Sequence, residues 1–340
     1  MVDDPSLARR LVDAIISDYP DHKADTRPVH TIGIGVKGHF IASPIAGNYT
    51  TASHFQGDEI PVTVRFSNGT GSPVERDSAS DVRGMATRFH LPDGSDTDLI
   101  AMTLGEFFTR STDEFLELTR SAQPQPVQAE GWWRKMIDML SFRLPLAAQP
   151  TGDGGSGAAG LMHYAERHQF AQRGILQAAS IGAPVSYVRA SYHAVHTFVV
   201  IDKHGVRRYV RFTWQPVAGV RNIDESRGNK YLHQELRDRL AKWPARFILR
   251  MTIGDIGDAL DDPTEPWPTQ RIKVVMGTLY LTHVAQDQQA DCEKLGFNPC
   301  RLTPGIEVSS DPILHARRGA YQESQNMRGA TACPFHNEAS

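Results

Sequence analysis

VHTIGIGVKGHFI, residues 29–41, is the stretch on which the fold turns. β-Branched and aromatic residues are interleaved there with Gly33, Gly35 and Gly38. That pattern predicts a strand whose glycines permit tight curvature or the close approach of a bulky flat object. Seven further β-like stretches lie downstream, at Ile60–Phe66, Val82–Leu91, Asp98–Met102, Tyr192–Ile201, Gly205–Trp214, Phe247–Ile253 and Ile272–Val284. The eight form two groups of four with helix-like sequence between them. An open antiparallel sheet of that size would have to protect two edges, and closure removes both. The expectation is therefore an α+β fold, a closed eight-stranded antiparallel β-barrel with added helices.

The helical segments follow from apolar spacing. Gly105–Thr119, Gly131–Phe142 and Asn222–Trp243 show it, the last through Leu232, Leu236 and Leu240, while Gln149–Gly160 reads as a loop. A helix is expected over Ser310–Tyr321, with Ser309 or Ser310 as cap and Pro312 in the first turn. Residues 1–26 read as a helical arm carrying Leu11, Ile15 and Ile16, and residues 27–340 as one domain, with the barrel over about 28–290.

Charge excludes some partners. Among 340 residues, 36 basic and 39 acidic side chains leave a net charge of -3, which predicts neither a nucleic acid nor an anionic membrane as partner. Asp13 and Asp18 interrupt the apolar residues of the leading segment, unlike an export signal, and no window reaches the apolar length of a membrane span. Cys292, Cys300 and Cys333 have no CxxC spacing, so a cytoplasmic, reducing compartment is expected. Pairing of Cys292 with Cys300 is left open by the sequence.

Two clusters could carry chemistry. His30 precedes the glycine-rich strand, and Arg65 and Ser67 share one face of the next, where a hydroxyl can orient an imidazole on a neighbouring strand. A neutral histidine so placed can take a proton from one oxygen of a peroxide and deliver it to the other. In DPILHARRGAY, residues 311–321, Arg317 and Tyr321 are four apart on one helix face. A phenol ordinarily ionises near pH 10, so a tyrosinate ligand needs a stabilising guanidinium and a ferric ion. Either cluster alone also reads as ordinary structure: a core histidine with its neighbours, or a solvated helix face. Phe66, Phe107, Phe108 and Phe115 could wall a flat cofactor or simply pack a core. Phosphate-loop, HExxH and GxSxG motifs are missing, and GIGVKG lacks the spacing of a dinucleotide fingerprint. The pairs His163/His168 and His193/His196 have spacings that separate their rings, so neither suggests a metal site.

Ordered along the chain, these motifs resemble the haem catalases, and within them the short catalase-related peroxidases. VHTIGIGVKG resembles the distal-histidine strand, VRFSNG at 64–69 the segment that follows it, and DVRGMATRFHLPDGSDTDLI at 81–100 the strand pair beyond. Val195–Phe198, Trp267–Pro268, Phe297–Pro299 and Pro304–Glu307 match shorter family motifs, and DPILHARRGAY resembles the proximal ligand helix. The resemblance implies a catalase-like barrel holding haem b inside it. His30 would be the distal acid-base residue, with Val29 narrowing access and Ser67 tuning it. Tyr321 would ligate iron, Arg317 would stabilise its phenolate, and His196 and Asp311 would hydrogen-bond that arginine. Arg27, Arg65 and Arg328 would neutralise the haem propionates, Phe107 and Phe115 would pack against the ring or line a channel, and Asp81 would line the main channel.

One departure bears on activity. The distal asparagine of large catalases falls at Met102, beside Thr103, so no amide is available to orient a second hydrogen peroxide. The resemblance therefore implies a peroxidase acting on hydrogen peroxide or organic hydroperoxides with a small organic reductant, with at most weak catalase activity. NADPH is not expected, and a homodimer is the expected assembly. Two other readings compete. A hydroperoxide-rearranging enzyme, similar to allene oxide synthases, would carry threonine where Val29 stands. A haem carrier or sensor would not require His30, Arg65 and Ser67 together.

Overall fold

Strand β1 (Gly33–Ala42) pairs antiparallel with β2 (Glu59–Asn68), setting Gly33 opposite Ser67 and Gly35 opposite Arg65. In this computed structural model, which describes residues 5–19, 21–23, 25–121, 160–224 and 227–329, the remaining strands extend the same sheet. They are β3 (Arg83–His90), β4 (Asp96–Met102), β5 (Tyr192–Ile201), β6 (Arg207–Pro216), β7 (Ala245–Ile253), β8 (Lys273–Val284) and the short β9 (Ile306–Val308). The spatial order is β4-β3-β2-β1-β8-β7-β6-β5, and the pairing of Met102 with His193 joins β4 to β5 and closes the ring. The expected eight-stranded antiparallel barrel is thus present, with β9 attached to β5 as a ninth strand outside the expected set.

Tight curvature is built at Gly38. A register shift separates Lys37 from Gly38 in the β1–β8 ladder, and a Cβ on Gly38 would lie 1.9 Å from the Tyr280 carbonyl oxygen. Only glycine lets the two backbones approach this closely.

Alternation along the strands sorts their two faces. Val64, Phe66, Met85, Leu99 and Ala101 belong to the barrel core. Phe40 fills the centre, edge-on to Phe55, Phe89 and Trp214. Burying each such ring contributes roughly 1.5–3 kcal/mol, so the interior is a packed core. Residues of the opposite parity, Arg65, Ser67, Gly84, Ala86 and Met102, face a cavity on the outer side of the wall. This corrects two expectations. The space for a large ligand lies between the barrel's outer face and the helices, and Phe66 stacks on Tyr187 in the core instead of lining that space.

Helices complete the cavity. They are α1 (Pro5–Ser17), α2 (Thr112–Ser121), α3 (Gly160–Arg167), α4 (Gln169–Ser180), α5 (Tyr231–Leu240) and α6 (Pro312–Met327). Helix α1 packs on α6 and α2, and α5 buries Leu232, Leu236 and Leu240 at the expected spacing. The expected helix from Gly105 begins only at Thr112, because Phe107 instead donates its N–H to the Pro263 carbonyl. Asp311 is itself the cap of α6, accepting from the N–H groups of Ile313 and Leu314, and the helix runs on to Met327. The helix expected over 131–142, the loop over 149–159 and Cys333 lie outside the described residues. Among the described residues, no helix is long and apolar enough to cross a membrane.

Candidate active site

A cavity of about 820 Å³ lies between the outer face of β2–β5 and helices α1, α2, α4 and α6. Its walls bring together His30, Ser67, Arg27, Arg65, Tyr321 and Arg317, which are as far as 294 positions apart in the chain.

His30 stands just before β1, not within it. Its φ of 58° makes it the one non-glycine residue with positive φ among the described residues, a conformation that costs energy in a bulky side chain. Its N–H donates to the Gly69 carbonyl, and its Nδ1 lies 2.8 Å from the Asn68 carbonyl oxygen. A carbonyl oxygen only accepts, so Nδ1 carries the proton and Nε2 keeps its lone pair. Ser67 Oγ, 3.1 Å from Nδ1, is a second acceptor for the same N–H. Burial first, then the Arg65 charge, pulls the imidazole pKa down to about 4. The ring lies on Gly84, where a Cβ would come within 3.0 Å of its Nδ1 and Cε1.

Tyr321 ends a chain of polar contacts that begins at the cap of its own helix. Asp311 Oδ2 lies 2.6 Å from His196 Nδ1, and Arg317 Nη1 lies 2.8 Å from His196 Nε2. Arginine only donates, so Nε2 accepts and the Nδ1 N–H points at Asp311. Burial holds the His196 pKa below its ordinary value in spite of that carboxylate. Arg317 Nη2 then donates to the Tyr321 hydroxyl oxygen at 3.0 Å, which favours negative charge on that oxygen. The guanidinium also sits over the Phe107 ring, 5.5 Å from its centroid.

Three arginines converge at another part of the wall. Arg27, Arg65 and Arg328 all line the cavity. Behind them Glu293, in the one-turn π-helix Gln289–Glu293, pairs with Arg27 and lies 3.0 Å from Arg65 Nε. Its backbone carbonyl accepts from Arg328 Nη1 at 3.1 Å. A Cβ on Gly33 would lie 2.3 Å from Arg65 Cζ, so glycine there makes room for the guanidinium.

Val29, Met102, Phe107, Phe108 and Phe115 contribute apolar wall. Asp81 also lines the cavity but is tied down, accepting from the N–H of Gly69 and pairing with Arg83 at 2.9 Å. Thr103 is occupied as well, its hydroxyl accepting from the Arg83 N–H. Cys292 is a buried free thiol. Two residues, one behind the cavity wall and one in it, had no signal in the sequence. Glu293 is one charge in a polar run, and Asp18, 9% exposed, places an unpartnered Oδ1 in the wall from the end of α1. Burial raises the Asp18 pKa to about 6.

The catalase family profile matches residues 11–144 and 254–334. The chain belongs to the catalase family. It is 32% identical over 317 residues to a catalase-related peroxidase of Mycolicibacterium paratuberculosis, covering 91% of this chain and 92% of that protein. It is 30% identical over 303 residues to a catalase-related peroxidase of Synechococcus elongatus, covering 88% and 82%. Among solved structures, a bacterial catalase superposes with a TM-score of 0.73 at 21% identity, covering 89% of this chain and 57% of that one. A fungal catalase gives 0.72 at 21% identity, covering 90% and 60%. The fold is therefore that of the catalases, and the chain spans less than two thirds of the length of those two solved members.

Proposed function

We propose that this protein is a haem b peroxidase that reduces hydrogen peroxide or organic hydroperoxides with electrons from a small organic donor and has at most weak catalase turnover. The observation that carries the reading is one cavity holding both a neutral imidazole with a free Nε2 and a phenol oxygen that receives a guanidinium N–H. The names of the two relatives agree with it.

The residues fit a haem. The cavity is within the range of about 300–1,000 Å³ typical of cofactor sites. Tyr321 would supply an oxygen ligand to the iron, Phe107 and Phe115 would pack against the ring, and Arg27, Arg65 and Arg328 would receive its two carboxylates. Bound there, the haem supplies the redox chemistry. The chain supplies orientation, charge and proton transfer. His30 Nε2 takes the proton from one peroxide oxygen and returns it to the leaving oxygen, while Asn68 and Ser67 hold the opposite ring nitrogen. Val29 narrows the approach. The Asp311–His196–Arg317 chain fixes the donor that faces Tyr321. Helix α1 acts as an arm against the domain, adding Val12, Ile15 and Asp18 to the wall.

The test is the visible spectrum of the purified protein with haem quantitation, before and after Tyr321→Phe. The parent is expected to show high-spin ferric phenolate ligation, which the variant loses. An unchanged spectrum in the variant sinks the assignment of the ligand. Oxygen release from hydrogen peroxide far faster than reductant oxidation sinks the preference for peroxidase turnover.

A further inference from the structure

Glu293 is the only acidic side chain among the described residues that contacts the arginine cluster, and it touches every member of it. Its carboxylate bridges Arg27 and Arg65, and its carbonyl receives Arg328. The three arginines line the cavity and Glu293 does not, so its carboxylate backs them from the protein side. One further nitrogen of each of Arg27 and Arg65 is anchored on backbone: Arg27 Nη2 donates to the carbonyls of Cys292 and Leu295, and Arg65 Nη2 to that of Thr31.

Such a cluster has a definite charge. Arg65 is 3% exposed, and its neighbours stand close enough that burial, then the Arg65 charge, brings the Arg27 pKa down to about 9. All three arginines remain cationic at neutral pH. Burial opposes ionisation of Glu293, but Arg65 and Arg27 outweigh it and hold the carboxyl below its ordinary value. The adjacent Cys292 thiol, pushed up to about 11 by burial, stays neutral. Nearby Asp291 is paired with Lys37 and adds no net charge. Three guanidinium charges less one carboxylate leave a surplus of two.

We infer that Glu293 is a positioning and charge-setting residue: it backs the arginines and trims their charge to two, which matches a flat ligand carrying two carboxylates. This deepens the haem reading and rests on it. Without Glu293 the site would hold three uncompensated cations, Arg65 buried and Arg27 and Arg328 partly so, a costly arrangement. With it, the site is balanced when a dicarboxylate is bound and carries a modest excess when empty.

The test uses metal-free protoporphyrin IX and its dimethyl ester, so iron ligation by Tyr321 plays no part. The quantity read is the ratio of the two affinities for the full-length protein, because damage to the cavity that affects both ligands alike cancels. Glu293→Gln raises the surplus to three and is expected to increase the preference for the diacid by about tenfold, the effect of one charge at roughly 10 Å in a partly screened site. Arg328→Gln is expected to lower it by about tenfold. The double variant has a surplus of two again and is expected to return the ratio to that of the parent, and it carries the test if Glu293→Gln alone does not fold. A purely mechanical role for Glu293 predicts otherwise: the ratio falls or stays put in Glu293→Gln, and the double variant is worse than Arg328→Gln. Either result overturns the inference while leaving the haem reading intact. A parent that takes up neither porphyrin overturns both.

Discussion

His30 is held in one tautomer by a partner that no side-chain substitution removes, the carbonyl oxygen of Asn68, 2.8 Å from its Nδ1. That oxygen belongs to the last residue of β2, and the positive φ of His30 swings the ring toward it. The basic nitrogen is thereby the one turned away from the strand. Because burial and Arg65 bring the imidazole pKa down to about 4, the base is present above that value and is lost as pH falls through it. Peroxide-dependent turnover should therefore be level from about pH 5 to 8, with its acid limb near 4. His30→Gln should lower the peroxide step by about 10²–10⁴-fold while the bound porphyrin is retained. A limb near the ordinary histidine value of about 6.5 would mean that the ring is not buried as described.

Asp311 joins fold to function, since one oxygen caps α6 and the other receives His196. Asp311→Ala removes a helix cap, worth about 0.5–2 kcal/mol, and a charged hydrogen bond worth about 1.5–3 kcal/mol. A loss of about 2–4 kcal/mol is expected, since the two contributions are not fully additive. Urea unfolding of the apoprotein measures it. Freed of Asp311, His196 can turn over, and Arg317 loses its fixed aim at Tyr321. A loss under about 1 kcal/mol would show that the helix end is held by other contacts.

The barrel was legible in the sequence because alternation and β-branching are local signals, and seven of the eight expected stretches fall within about two residues of a strand at both ends. The start of β1 was not. VHTI looks like strand, yet His30 is pulled into a left-handed conformation by hydrogen bonds to Asn68 and Gly69, which lie nearly forty positions away. Strand parity correctly put Arg65 and Ser67 on one face, but parity alone does not say whether that face points into the barrel or out of it. The Asp311–His196–Arg317 chain came from the family resemblance, since nothing local links residues 115 positions apart. Glu293 in QQADCEK had no distinguishing pattern at all, because its role arises only when α6 and β2 deliver their arginines to it.

Asp18 contributes a pH dependence of its own. Its folded pKa is raised to about 6 from an ordinary 3.8, so the folded state binds this proton more tightly. The stability associated with it is present at pH below about 4 and is lost as pH rises to about 6, after which the deficit is constant. Asp18→Asn should therefore be more stable than the parent by about 2–3 kcal/mol at pH 8, with the gap closing near pH 4. Urea unfolding at the two pH values decides it. A gap that does not change with pH would show that the carboxyl is solvated in the folded protein.

Met102 sits where the barrel closes, paired with His193 on one side and with Gly84, the floor under the His30 ring, on the other. Its side chain lines the cavity and offers no hydrogen-bond donor. Orienting a second hydrogen peroxide beside His30 calls for such a donor, whereas electron delivery from an organic reductant does not. Met102→Asn places an amide there at the cost of some apolar contact. One added hydrogen bond to the second peroxide is worth about 0.5–1.5 kcal/mol, or roughly a twofold to tenfold gain in oxygen release relative to reductant oxidation. Oxygen-electrode and reductant-oxidation rates on the same preparation give the ratio. If it does not rise while the porphyrin content is unchanged, the balance between the two activities is set elsewhere in the wall.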